Sequence, residues 1–351
     1  MRVGVSSRLA KISLSNFYKK DINEIEELWH AFDPPYRELI EWLHGITKKP
    51  NVNDRPVFRS PMLANPLEEI DYKIINPNNY FAEWKWDGIR IQLVSLDQSV
   101  KLYSRTGDDI SKTFPEITSL KLNQNFSLDG ELMAGEINRP GTFNDLQQRL
   151  NRKSPSKEII KTVPTFIIAY DILFLKSSDI RQKKITERRK ILSQFLNKEN
   201  MSFIKFSEEV KFKDFNELEQ KRLKCREELN YEGLMLKLKN SIYQPGRPKG
   251  PWYKFKRDPF NVDVVLLYAQ RGHGRRSSFY SDFTFGVWWL HEQKTELVPV
   301  AKAYFGFTDE ELKDLDKWVR DNTIKRFGPV RQVATGLVIE LAFDSIHRSK
   351  S

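Results

Sequence analysis

The run Glu83-Trp84-Lys85-Trp86-Asp87-Gly88-Ile89-Arg90 constrains this chain more than any other stretch. Its lysine comes just after the short apolar segment Tyr80-Phe81-Ala82, and Asp-Gly and an arginine follow. An amine attacks phosphorus only in its neutral form. A partly buried lysine flanked by cations has its pKa lowered, so this setting predicts an accessible neutral form for Lys85. Gly88 permits a tight turn after the lysine, and Arg90 can hold an anionic oxygen. Taken alone, the run also fits a surface strand that ends in a turn.

Further short motifs follow in a fixed order. They are Ser104-Arg105-Thr106-Gly107, Leu128-Asp129-Gly130-Glu131-Leu132 and Ala169-Tyr170-Asp171-Ile172-Leu173, then Tyr231-Glu232-Gly233-Leu234-Met235-Leu236-Lys237 and Trp252-Tyr253-Lys254-Phe255-Lys256. The pattern Lys-x-Asp-Gly-x-Arg with this succession resembles the covalent nucleotidyltransferases: DNA ligases, RNA ligases and mRNA capping enzymes. The resemblance covers roughly residues 55–348. It is closest to the ATP-dependent DNA ligases, of the larger class that carries a DNA-binding domain.

The resemblance implies that Lys85 attacks the α-phosphate of ATP and becomes a lysine–AMP phosphoramidate. Lys254 and Lys256 lie two apart, so on a strand their side chains share one face. Two cations there can neutralise a triphosphate and depress the Lys85 pKa; a solvated basic strand edge is the plainer alternative. Glu131 and Glu232 each sit beside a glycine, and both are expected at the end of a short apolar strand. Carboxylates presented there can bind Mg²⁺ or ribose hydroxyls. The resemblance assigns Glu131 to sugar and metal contacts and Glu232 to metal. It places Tyr170 where an aromatic ring stacks on adenine, against the alternative of an ordinary core tyrosine. It implies that Arg105 holds the 5′-phosphate of a nick or of the nucleotide, and that Arg90 contacts the ribose or a neighbouring phosphate.

Glu83 lies two residues before Lys85, on the same strand face. A carboxylate there can accept from the 6-amino group of adenine. Guanine offers a carbonyl at that position, so Glu83 argues for ATP over GTP and against a capping enzyme. One departure concerns Pro248, which stands where many DNA ligases have an arginine; Arg247 and Lys249 flank it. The stretch from Arg271 to Ser278 is a basic, Gly-rich turn without a Walker pattern. It suits contacts to DNA phosphates from Arg271, Arg275 and Arg276, with His273 as a solvated loop residue.

The chain has 351 residues and a formal charge of +11, which suggests about two domains and a polyanionic partner, nucleic acid before membrane. An apolar fraction of 39% suffices for packed cores. The single cysteine, Cys225, excludes an intramolecular disulfide framework and suits a reducing cytoplasm. No apolar run approaches the ~20 residues of a membrane span. The first twenty residues lack acids and carry Arg2, Arg8, Lys11, Lys19 and Lys20, as a transit peptide would. The spacing of Leu9, Ile12, Leu14 and Phe17 favours a helix instead.

The expected fold class is α+β. Residues 1–58 read as a helical segment with a polar, Pro-containing linker over 46–58, a remnant of a DNA-binding domain. Residues 59–258 read as a nucleotidyltransferase domain of ATP-grasp-like antiparallel sheets with helices. Residues 259–351 read as an OB-fold β-barrel, with strands at 262–269, 284–290, 297–305 and 336–342 and one helix over 308–322. The resemblance also implies a final Arg-x-Asp-Lys motif beyond Ile346 and a larger helical domain before residue 1. The expectation is therefore a core clipped at both ends, with self-adenylation affected most. Taken together, these features predict a monomeric, cytoplasmic, nucleoid-associated DNA ligase that uses ATP and Mg²⁺ on nicked double-stranded DNA. An RNA ligase and a degenerate nick-binding module are the alternatives.

Overall fold

The computed structural model describes residues 4–150, 152, 154–225, 231–272, 277–291, 294–304, 306–344 and 346. Two compact units divide the chain, Met1–Arg257 and Asp258–Ser351.

The first unit opens with three helices, α1 (Ser7–Tyr18), α2 (Ile22–Ala31) and α3 (Arg37–Leu43). Ser6 and Asp21 cap α1 and α2, each accepting from a backbone N–H of the first turn. Ile25, Leu28, Leu39, Trp42 and Leu43 bury one shared apolar cluster, which also takes in Val52. Residues 46–58, polar in composition, are thus anchored at Val52 and again at the buried Val57 and Phe58.

Strand β1 (Asn65–Pro66) and helix α4 (Asp71–Ile74) precede β2 (Tyr80–Trp86), β3 (Ile89–Leu96) and β4 (Ser99–Ser104). The β3–β4 turn places Asp97 and Gln98 at positive φ, the backbone of a two-residue hairpin. Helix α5 (Pro115–Thr118) leads to β5 (Phe126–Glu136) and β6 (Arg139–Pro140). Helices α6 (Phe143–Leu150) and α7 (Lys157–Thr162) lead to β7 (Thr165–Leu175) and β8 (Ser178–Asp179). Then come α8 (Ile185–Glu199), β9 (Ile204–Phe206), β10 (Glu209–Val210), α9 (Phe215–Lys224), β11 (Tyr231–Leu238) and β12 (Trp252–Lys256).

These strands form two sheets. One has the order β1-β12-β11-β2-β10; the other runs β4-β3-β5-β7-β8, with β6 on β5 and β9 on β7. Pairing is antiparallel except β1 with β12 and β7 with β9. The larger core packs Leu93, Phe114, Phe126, Leu128, Ile167 and Leu192 beneath the second sheet. Between α8 and β7, the Arg188 guanidinium grips Asp171 at 2.8 and 2.9 Å, with both side chains fully buried.

The second unit contains β13 (Phe260–Arg271), β14 (Tyr280–His291), β15 (Lys294–Ala303), α10 (Asp309–Asp321), β16 (Thr323–Phe327), β17 (Val330–Val333) and β18 (Val338–Phe343). The sheet order is β15-β14-β13-β17-β16, and β18 also pairs with β13. One edge of β13 is shared by β18 over Phe260–Val265 and by β17 over Tyr268–Gln270, so the sheet curls as an OB fold requires. Thr308 and Glu311 close a capping box on α10. Leu312 and Val319 dock that helix onto Val264, Leu266, Phe283 and Phe285.

Candidate active site

A cavity of about 530 Å³ lies in the first unit and is lined from both sheets. It gathers Lys85, Glu83, Arg90, Arg105, Glu131, Tyr170, Glu232, Lys254 and Lys256. Of the candidate DNA-contacting arginines, Arg271 belongs to the second unit. Arg271 ends β13, its guanidinium 5.8 Å from the Tyr280 ring centroid. Arg275, Arg276 and His273 lie outside the described residues.

Two β-bulges aim the central side chains. In the β2–β11 ladder Tyr231 faces Trp86 and Gly233 faces Lys85, leaving Glu232 as the extra residue. In the β5–β7 ladder Asp129 faces Asp171 and Gly130 faces Ala169, leaving Tyr170 extra. A bulge re-aims one side chain without shifting the rest of the strand. The first puts Glu232 in contact with the Lys85 ammonium. Gly233 permits it: its φ is +139°, and a Cβ there would lie 2.7 Å from the Lys256 Cα.

Glu131 corrects the sequence reading. Glu131 sits in the middle of β5, an 11-residue strand, rather than at a strand end. It faces Arg90 across the β3–β5 ladder. Gly88 sits in the bend between β2 and β3, and close approach of β5 also calls for a glycine there. A Cβ there would lie 2.6 Å from the Met133 Sδ and 2.9 Å from the Glu131 Cγ.

Arg90 is held rather than free. It donates to both Asp129 carboxylate oxygens at 3.1 and 2.6 Å and to the Met62 carbonyl at 2.7 Å. Burial works to lower its pKa, but Asp129 outweighs this and raises it. Tyr170 donates to Asp129 at 3.3 Å, and Tyr243 donates to it at 2.6 Å. Asp129, present in the second sheet's motif but given no role from sequence, is the hub of this cluster.

Glu83 is 2% exposed and paired with two cations, Arg189 and Lys237, the latter at 2.5 Å. The Lys237 ammonium lies 4.5 Å from the Tyr170 ring centroid and 4.6 Å from that of Trp252. Burial lowers the Lys237 pKa, against the pull of Glu83. Neither Arg189 nor Lys237 was assigned a site role from sequence. The signal for Lys237 is its place at the end of the Tyr231–Lys237 motif, two residues from the cavity-lining Met235 and so on the same strand face.

Burial holds the Glu131 carboxyl up at about 8, against the attraction of Lys85 and Arg90. Burial, and then repulsion from Glu232, holds Asp87 at about 6. Burial works to raise Glu232 as well, but Lys85 and Lys256 bring it below its ordinary value. On the opposite side, burial lowers the Lys254 pKa, and Arg247, Lys256, Lys85 and Arg105 lower it further. Of the two neighbours of Pro248, Arg247 lines the cavity. Carboxylates and cations thus meet around Lys85, with Lys256 3.6 Å from Glu232.

Two donors in this cavity have no partner among the described residues, the buried indole N–H groups of Trp86 and Trp252. No group of three or more His, Cys, Asp or Glu side chains among the described residues is placed to hold a metal alone. The cavity carboxylates Glu131 and Glu232 are a donor set that fits Mg²⁺, which takes one or two carboxylates and completes its shell with phosphate oxygens and water.

A lysine presented from a β-strand into such a cavity, in an α+β unit followed by an OB-type unit, defines the nucleotidyltransferase class. Comparison with known proteins gives the family. Residues 61–256, more than half of the chain, match the ATP dependent DNA ligase domain, and the chain belongs to that family. A probable DNA ligase of Koribacter versatilis is 33% identical over 310 residues, covering 82% of this chain and 53% of that protein. A DNA ligase of Methanococcus aeolicus is 31% identical over 365 residues, covering 99% of this chain and 62% of that one. The chain therefore spans a little over half the length of these relatives. Among solved structures, a Lig E DNA ligase shares the fold with a TM-score of 0.54 and 18% identity, covering 73% of this chain and 88% of that one. No helix among the described residues is long and apolar enough to cross a membrane.

Proposed function

We propose that this chain is the catalytic part of an ATP-dependent DNA ligase that seals nicks in duplex DNA. The contact between Lys85 and Glu232, in a cavity that also presents Lys254 and Lys256, carries the reading. In the first step the Lys85 Nζ forms a bond to the α-phosphorus of ATP and the bond to pyrophosphate breaks. The amine loses a proton, for which Glu232 is the acceptor in contact. In the second, an oxygen of the nick's 5′-phosphate takes AMP as the P–N bond breaks. In the third, the 3′-hydroxyl attacks the 5′-phosphorus and AMP leaves.

Lys254, Lys256 and Arg247 neutralise the triphosphate, and Arg105 holds the nick's 5′-phosphate or that of the nucleotide. Tyr170 and Trp252 flank the adenine with π faces, and Glu83 accepts from its 6-amino group. Arg90, fixed by Asp129, supports the ribose side. Glu131 and Glu232 are the residues that would hold Mg²⁺, which lowers charge repulsion at the phosphoryl centre.

The test is covalent labelling with ATP radioactive at the α-phosphate. Wild-type chain forms an adduct and Lys85→Ala forms none, while its thermal melt is unchanged. An adduct on Lys85→Ala would move the nucleophile to another residue. A folded wild type without adduct that still binds nicked duplex would be a nick-binding module. Labelling by GTP instead would point to capping chemistry, and sealing of nicked RNA in preference to DNA to an RNA ligase.

A further inference from the structure

Arg105 projects from a turn whose conformation is not set by that turn alone. Ser104 and Asp108 close it, the Ser104 N–H donating to the Asp108 carbonyl at 2.9 Å. Arg105, Thr106 and Asp108 are exposed, yet Gly107 between them is buried. What covers Gly107 is α2. A Cβ at Gly107 would lie 2.9 Å from the Glu26 Oε1, 2.9 Å from the His30 Nε2 and 3.0 Å from the Phe58 ring. Gly107 also has φ of +81°, so no other residue fits the turn without strain.

The covering side chains are themselves fixed. Glu26 Oε1 accepts from the Lys11 ammonium at 2.6 Å, and His30 Nε2 lies 3.2 Å from the same oxygen. The His30 ring packs 4.7 Å from Phe58 and 5.1 Å from Tyr103, the residue before Ser104. Burial holds the imidazole pKa below its ordinary value despite Glu26 beside it. A second network ties the same helix down. Glu27 accepts from Arg181 at 2.7 Å and lies 3.3 Å from Arg59, whose guanidinium is 1% exposed.

We propose that His30 and Glu26 are positioning residues for Arg105: helix α2 clamps the Ser104–Asp108 turn and so directs Arg105 into the active-site cavity. The helices before residue 45 thereby belong to the phosphate-binding machinery of the catalytic unit. This rests on the reading of Arg105 as a phosphate ligand. It predicts a role for residues far from Lys85 in sequence that touch neither nucleotide nor DNA.

The test is a double-mutant cycle on the whole chain, with sealing of a pre-adenylated nick as the readout and the thermal melt as the control. Arg105→Ala and His30→Ala should each slow sealing, His30→Ala by about 10- to 100-fold, the loss that follows from a misplaced group. The double variant should be no slower than Arg105→Ala alone. His30→Gln, which keeps a hydrogen bond to Glu26, should restore most of the rate. If His30→Ala fails to fold, Gly107→Ala takes its place in the same cycle, with the same expected non-additivity. Losses that multiply in the double variant would overturn the proposal, since His30 would then act independently of Arg105. So would a slowed Arg105→Ala beside a His30→Ala that seals at the wild-type rate. Wild-type sealing by Arg105→Ala would instead refute the role of Arg105 itself.

Discussion

Replacing Glu131 by glutamine should remove a pH-dependent cost that the active site imposes on the fold. Burial raises this carboxyl from an ordinary 4.5 to about 8. Between those values the folded chain holds a proton that the unfolded chain has released, so stability falls as pH rises through this window and levels off above about 8. At about 1.4 kcal/mol per tenfold change the full difference is about 5 kcal/mol. The side chain keeps partial exposure to the cavity, so about 2–3 kcal/mol is expected. Glutamine keeps the shape and carries no charge at any pH. Thermal melts of wild type and Glu131→Gln should coincide near pH 5 and separate as pH rises. By about pH 9 the variant should melt about 5–10 °C higher. Asp87, held at about 6, adds a smaller fall at lower pH that both proteins share. Parallel melting curves across the whole range, or a variant less stable at high pH, would refute the argument that Glu131 is charged at a cost.

Four further outcomes are expected. Glu83→Gln should narrow the preference for ATP over GTP in the labelling assay by about 1–3 kcal/mol, because the amide can also donate to a guanine carbonyl. An unchanged ratio would remove Glu83 from the base pocket. Glu83→Ala should in addition destabilise the fold by about 3–5 kcal/mol, leaving Arg189 and Lys237 unpaired, as a melt would show. Gly233→Ala should cost about 2–4 kcal/mol and most of the ATP labelling, since it removes the bulge that holds Glu232 against Lys85; a normal adduct yield would show the bulge to be dispensable. Binding to nicked duplex should weaken at least tenfold between about 50 and 200 mM salt, and a salt-insensitive affinity would argue against phosphate recognition.

The gathering of the motif residues in one cavity was legible in sequence because each motif is a few contiguous residues on one strand, where spacing fixes the face. Lys254 and Lys256 share a face on β12, as alternation requires, and both line the cavity. The bulges at Tyr170 and Glu232 were not legible. A bulge is a property of two strands in register, and the partner strands lie far away in sequence. The setting of Glu83 was hidden for a similar reason: its cations come from α8 and from the far end of β11. The second unit showed the complementary limit. Its long strands and the capped helix α10 follow their apolar pattern, whereas β16 reads Thr-Ile-Lys-Arg-Phe, is mostly exposed and carries no alternation to find.

The parallel pairing of β1 with β12 has a consequence for synthesis. Asn65 and Pro66 stand beside Tyr253 and Lys254, so the strand that opens the catalytic sheet can be zipped only to the strand that ends it. The strand that carries Lys85, β2, likewise depends on β11 for its central ladder. About 170 residues separate Trp86 from Lys256. At roughly 5–20 residues per second, Lys85 waits on the order of ten seconds or more on the ribosome for its neighbours. During that time the second sheet, whose strands β3, β4, β5 and β7 follow closely in sequence, can already form. The nascent chain therefore acquires its scaffold first and the sheet that carries Lys85 last, so a chain released early would be half folded, with the cavity around Lys85 unformed.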